Sequence, residues 1–125
     1  MGRTPLILFV DDSSDARLTY GEYLRDAGYD VAVAVDGNEA LAIALSAVPD
    51  LILLDLTMPG LDGWELARLL KSYRFTSHVP ILALSGFHDT ASIARAVGAG
   101  CSGFVSKPCS LEELDNVIQS TLKEK

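Results

Sequence analysis

"LILLDLTMPG", residues 51–60, sets four apolar residues directly before Asp55 and follows with Leu56, Thr57, Met58 and a Pro59-Gly60 pair. A short apolar run bounded by turn residues is the pattern of a strand buried on both faces. A carboxylate is among the costliest groups to remove from water. A buried strand that closes on Asp55 therefore needs something nearby to offset that charge.

The rest of the chain repeats the apolar run. "LILFV" (6–10), "VAVAV" (31–35), "ILALS" (81–85) and "GFVS" (103–106) read as further strands. Between and after them, apolar residues recur at helical spacing: Tyr20, Tyr23, Leu24 and Ala27; Leu41, Ala44 and Leu45; Leu66, Leu69, Leu70 and Tyr73. A shorter stripe, Ile93, Ala96 and Val97, precedes the strong last one of Leu111, Leu114, Val117, Ile118 and Leu122. Asp36 with Glu39, and Ser110 with Glu113, have capping-box spacing, Asp62 suits a cap before the third helix, and Gly28 suits a helix stop. Five βα units in succession predict one α/β domain over 1–125, a parallel sheet with helices on both faces.

Composition narrows the function. The 125 residues are 49% hydrophobic, enough for a core and against disorder. Seventeen acids against ten bases leave a net charge of −7, which argues against a nucleic-acid backbone as direct ligand. No apolar run approaches the ~18 residues of a membrane span. "PLILFV" is cut short by Asp11-Asp12, a poor signal peptide. Cys101 and Cys109 form no CxxC pair and have no histidine beside them, so neither zinc nor a disulfide framework is expected. A reducing cytoplasm is the simplest compartment.

Ligands of open parallel sheets gather beyond the carboxyl ends of the strands. Asp11 and Asp12 follow the first strand, Asp55 closes the third, Ser85 closes the fourth and Lys107 follows the fifth. Carboxylates brought together resist ionising together unless a cation offsets them. Oxygen ligands suit Mg²⁺, with Mn²⁺ able to substitute. Lys107 and Ser85 offer a fixed positive charge and a donor for an incoming phosphoryl group. The set points to phosphoryl transfer onto an aspartate.

With these residues in place, the chain resembles the response-regulator receiver domains of two-component signalling, in particular chemotaxis-type regulators. "FVDDSSDAR", "LILLDLTMPGLDGWEL", "ILALSG" and "GFVSKPCSLEEL" fall in that family's order and spacing across essentially the whole chain. The resemblance implies a doubly wound, flavodoxin-like five-stranded sheet of order 2-1-3-4-5 with five helices. It implies that Asp55 accepts a phosphoryl group from a phosphohistidine on a sensor kinase or phosphotransfer protein. Asp12 would ligate Mg²⁺ directly, Asp11 largely through water, and Thr57 through its main-chain carbonyl. Lys107 would pair with the phosphoryl oxygens, Pro108 would follow a cis peptide bond, and Ser85 would donate once Asp55 is modified. Phe104 falls at the switch aromatic and lacks a tyrosine's hydroxyl. Thr57 and Phe87 occupy positions that tune phosphate lifetime, and here imply slow loss.

The resemblance also implies an output face on the fourth helix, fifth strand and fifth helix, and a kinase contact on the first helix near Ser14-Asp15. A free-standing monomer is expected, since Ser102-Gly103 stand where dimerising receivers often carry acids. A receiver cut from a hybrid kinase or longer regulator would read the same. Other classes are a haloacid-dehalogenase-like phosphatase, disfavoured by Thr57 at the position of its second aspartate, and a pseudo-receiver that binds partners without phosphorylation. "GAGCSG", Gly98 to Gly103, matches a dinucleotide fingerprint but follows a helix and precedes a strand, the reverse of what binding requires. His78 and His88 read as surface residues, and Trp64 as packing at the start of the third helix.

Overall fold

In a computed structural model of the chain, residues 4–56, 63–86, 90–106 and 109–123 are described. Strand and helix alternate as β1 (Leu6–Val10), α1 (Ser14–Asp26), β2 (Asp30–Ala34), α2 (Gly37–Ala47), β3 (Leu51–Asp55), α3 (Gly63–Ser72), β4 (Ile81–Ser85), α4 (Thr90–Gly98), β5 (Gly103–Ser106) and α5 (Leu111–Lys123). The strands form one parallel sheet in the order β2-β1-β3-β4-β5. The expected fold class and strand order are both present.

Side chains alternate across a strand, so each strand feeds two cores. Leu8, Val10, Ile52, Leu54, Ile81 and Ala83 pack on one face with Ala40 and Ala44 of α2, Leu66, Ala67 and Leu70 of α3, and Ala96 of α4. Ile7, Phe9, Leu51, Leu53, Leu82, Leu84 and Val105 pack on the other with Leu24 of α1 and Leu114 and Ile118 of α5. All residues of β3 and β4 are buried, which explains their unbroken apolar sequence.

Local chemistry sets the helix ends. Ser13 caps α1, its Oγ accepting from the Ala16 N–H at 3.2 Å. Asp36 caps α2 and accepts from the Glu39 N–H at 2.8 Å. The Glu39 carboxylate accepts from the Val35 N–H at 3.1 Å. Strand β2 runs one residue earlier than the sequence suggests, because the Asp30 N–H already donates to the Pro5 carbonyl oxygen at 2.9 Å and starts the ladder there. Gly28 follows α1 with φ +104°, the left-handed turn that glycine tolerates. Val48 does the same after α2 with φ +40°, where a β-branched residue is strained.

One close approach bears on the site. A Cβ on Gly63, the first residue of α3, would lie 2.7 Å from Leu56 Cα and 3.1 Å from the Asp55 carbonyl oxygen. Only a glycine lets α3 start directly against the end of β3.

Candidate functional site

The strand order reverses between β1 and β3, because β1 leads to β2 on one side and β3 continues to β4 on the other. Such a switch point opens a crevice at the carboxyl edge of the sheet. Val10 pairs with Leu54, so Asp11 and Asp55, each one residue further on, end adjacent strands at the same level. One carboxylate oxygen from each of Asp11, Asp12 and Asp55 lies within 4.8 Å of the others. Asp11 and Asp55 are buried and Asp12 is exposed.

Asp11 is held firmly. Its N–H donates to the Ala34 carbonyl oxygen at 3.1 Å, and its Oδ1 accepts from the Ser13 N–H at 2.9 Å. Its own carbonyl oxygen accepts from Arg17 Nη1 at 2.8 Å. The apolar strands therefore fix the backbone, and short hydrogen bonds at the head of α1 fix the first acid.

Three carboxylates this close repel when all are ionised, and a divalent cation between them removes the repulsion. Two oxygens bound to one Mg²⁺ stand at most ~4.2 Å apart, so the cluster fits a single small cation with little closure. The donors are all hard oxygens, which suits Mg²⁺ or Mn²⁺ over a thiophilic metal. The triad is thus of the kind that holds a divalent metal ion.

Ser85 ends β4 next to β3, fully buried, and Asp55 pairs with Leu84 just before it. Phe104 lies half-buried on β5 and packs against the core beneath α2, α3 and α4. Thr57, Phe87, Lys107 and Pro108, together with Asp62 and His88, lie outside the described residues. His78 is exposed, as expected. Trp64 is half-buried on the first turn of α3. Gly98, Gly100 and Gly103 run from the end of α4 into β5, so "GAGCSG" has the helix-to-strand context that rules out a dinucleotide turn.

Two contacts were not legible beforehand. Arg17, on the first turn of the helix that Ser13 caps, folds its long side chain back onto the Asp11 carbonyl oxygen. Arg95 of α4 lies over the Trp64 ring, 4.1 Å from its centroid. No local pattern links those two residues.

Comparison with known proteins gives the site its setting. Residues 7–119 match the response regulator receiver domain family. The chain is 37% identical over 117 residues to a probable transcriptional regulator, ycf27, of Porphyridium aerugineum, covering 94% of this chain and 48% of that protein. It is 35% identical over 122 residues to the transcriptional regulatory protein PrrA of Mycobacterium bovis, covering 98% and 52%. The chain thus spans about half the length of these curated relatives. Among solved structures, the Vibrio cholerae chemotaxis protein CheY4 superposes with a TM-score of 0.91 at 33% identity, over 94% of this chain and 98% of that one. The receiver domain of a Syntrophus aciditrophicus signal transduction histidine kinase gives 0.89 at 29%, over 97% and 92%. Fold, acidic cluster and sequence agree: the chain belongs to the CheY-like response-regulator receiver domains, the phospho-accepting switches of two-component signalling.

Proposed function

We propose that Asp55 is the phospho-acceptor. A carboxylate oxygen of Asp55 attacks phosphorus, the N–P bond of a phosphohistidine breaks as the O–P bond forms, and the histidine nitrogen leaves with the bonding pair. The observation that carries this reading is the convergence of Asp11, Asp12 and Asp55 at the switch point of the sheet. Mg²⁺, when bound, offsets charge on the acids and on the phosphoryl oxygens. Asp12 and Asp55 would hold it directly, Asp11 through water, and Thr57 through its carbonyl.

Ser85 would donate to a phosphoryl oxygen on Asp55, and Lys107 would supply the balancing positive charge. Movement of Ser85 toward the phosphoryl group would let the Phe104 ring turn inward, without any phenolic hydrogen bond. Pro108 would aim Lys107. Thr57 cannot serve as a carboxylate base, and Phe87 would shield the aspartyl phosphate from water, so its loss would be slow. Modification adds charge and acceptor oxygens and redistributes the protein between two packings.

Family membership implies a histidine kinase or phosphotransfer protein as phosphodonor. We place that contact on α1 and the output on α4, β5 and α5, in a cytoplasmic monomer. The same chemistry serves a free-standing regulator and a receiver joined to a further domain. Incubation with Mg²⁺ and acetyl phosphate or phosphoramidate, followed by intact mass, tests the proposal. Wild type should gain one phosphoryl group and Asp55→Asn none; no adduct with any donor, or the same adduct in Asp55→Asn, overturns it.

A further inference from the structure

The proposed chemistry gives no role to Arg17, on the first turn of α1. Its side chain is nevertheless half-buried and donates from Nη1 to the Asp11 carbonyl oxygen at 2.8 Å. That oxygen belongs to the peptide unit joining Asp11 to Asp12. A peptide unit is planar and moves as one body, so rotation of this carbonyl would swing the chain between the two acids. The Asp11 N–H and Oδ1 are held from β2 and from the turn, through the Ala34 carbonyl and the Ser13 N–H. Arg17 adds a constraint on the carbonyl of the unit that leads to the exposed Asp12.

We propose that Arg17 is a positioning residue for cation binding: by holding the Asp11–Asp12 peptide unit it sets the two carboxylates toward Asp55 before a metal arrives. The inference rests on the metal reading of the acidic cluster. A guanidinium beside this cluster also repels a cation through space. The two effects have opposite signs, and that makes the assignment testable. If Arg17 acts as charge alone, removing it tightens Mg²⁺ binding; if it acts by position, removing it weakens binding despite the lost repulsion.

The measurement is a Mg²⁺ titration of the intact chain followed by amide NMR shifts, on wild type, Arg17→Met and Arg17→Lys. Groups that orient metal ligands commonly contribute about tenfold or more in metal affinity. Arg17→Met should weaken Mg²⁺ binding about tenfold, and Arg17→Lys, a donor of shorter reach, about threefold. Phosphorylation of Arg17→Met by acetyl phosphate should recover at saturating Mg²⁺. Unchanged or tighter affinity in Arg17→Met overturns the proposal, as does a rate defect that persists at saturation. If Arg17→Met does not fold, Arg17→Lys decides, since unchanged affinity in it is equally fatal. Wild type that takes up no Mg²⁺ removes the metal reading itself, whereas binding by wild type that Arg17 does not influence removes this inference alone.

Discussion

Helices α4 and α5 flank the same strand, yet they are held in different ways. Helix α5 buries Leu114, Ile118 and Thr121. Its first turn is closed by Ser110, whose Oγ accepts from the Glu113 N–H at 3.0 Å while its hydroxyl donates to Glu113 Oε1 at 3.1 Å. Asp115 accepts the Tyr29 hydroxyl at 2.8 Å, tying α5 to the chain segment that enters β2. Helix α4 buries Ala96 alone, and leaves Ile93 and Val97 37% and 62% exposed. Its lateral hold includes the stacking of Arg95 on Trp64. Few buried apolar contacts mean a low free energy of local opening. Displacing α4 is therefore cheap and displacing α5 is not, which suits α4 to be the part that moves in the proposed output face.

The largest expected effect lies on the anchored side. Leu114→Ala should destabilise the fold by about 2–5 kcal/mol, read as a lower denaturation midpoint. A loss no greater than that of a surface substitution would erase the contrast.

Next comes a difference in thiol chemistry. Burial pushes the Cys101 thiol, just after α4, up to about 11, while Cys109 before α5 is half-buried. At pH 8 Cys101 should be alkylated at least ~10-fold more slowly than Cys109, accelerating as pH rises toward that value. Because the raised value favours the thiol in the folded chain, its stabilising contribution is complete below the ordinary thiol range and lost at higher pH. Faster labelling of Cys101 after phosphorylation would locate the movement at α4.

Smaller again is the tie on α5. Tyr29→Phe should cost about 1 kcal/mol in a denaturant melt. Burial and Asp115 both raise the Tyr29 hydroxyl above the usual tyrosine value. The contribution should therefore be full below about pH 10 and fade only in stronger alkali. A wild-type advantage already gone at pH 8 would contradict it.

The smallest effect belongs to α4. Arg95→Met should change global stability by no more than about 0.5–1 kcal/mol, while speeding amide exchange in α4 and leaving α5 unaltered. Equal acceleration in both helices would mean that they open as one unit.

Much of this was legible in the sequence, and the exceptions have physical causes. Strands β1, β3, β4 and β5 read at their true limits because each is an apolar run with abrupt polar ends. Strand β2 read one residue late because its first residue is the exposed, polar Asp30, whose N–H joins the ladder through the Pro5 carbonyl oxygen, a backbone event that hydropathy does not register. The left-handed Val48 was hidden because its residue type argues against that conformation. The stripe on α4 read as a core face, yet Ile93 and Val97 remain largely uncovered; periodicity shows which residues share a side, not whether anything packs on it. Asp11, Asp12 and Asp55 were legible because each directly follows or closes an apolar strand. Arg17 and the Arg95–Trp64 contact were not, since they depend on where long side chains fold back.

The pairing of β1 with β3 also has a kinetic side. Val10 must meet Leu54 before the acids beyond them can gather, so an unfolded chain carries no ready-made cation cradle. A cation that binds the acids would deepen the native basin without guiding the chain into it. Mg²⁺ would then act on refolding as a ratchet, slowing escape from the folded state and leaving the earliest steps at their own pace.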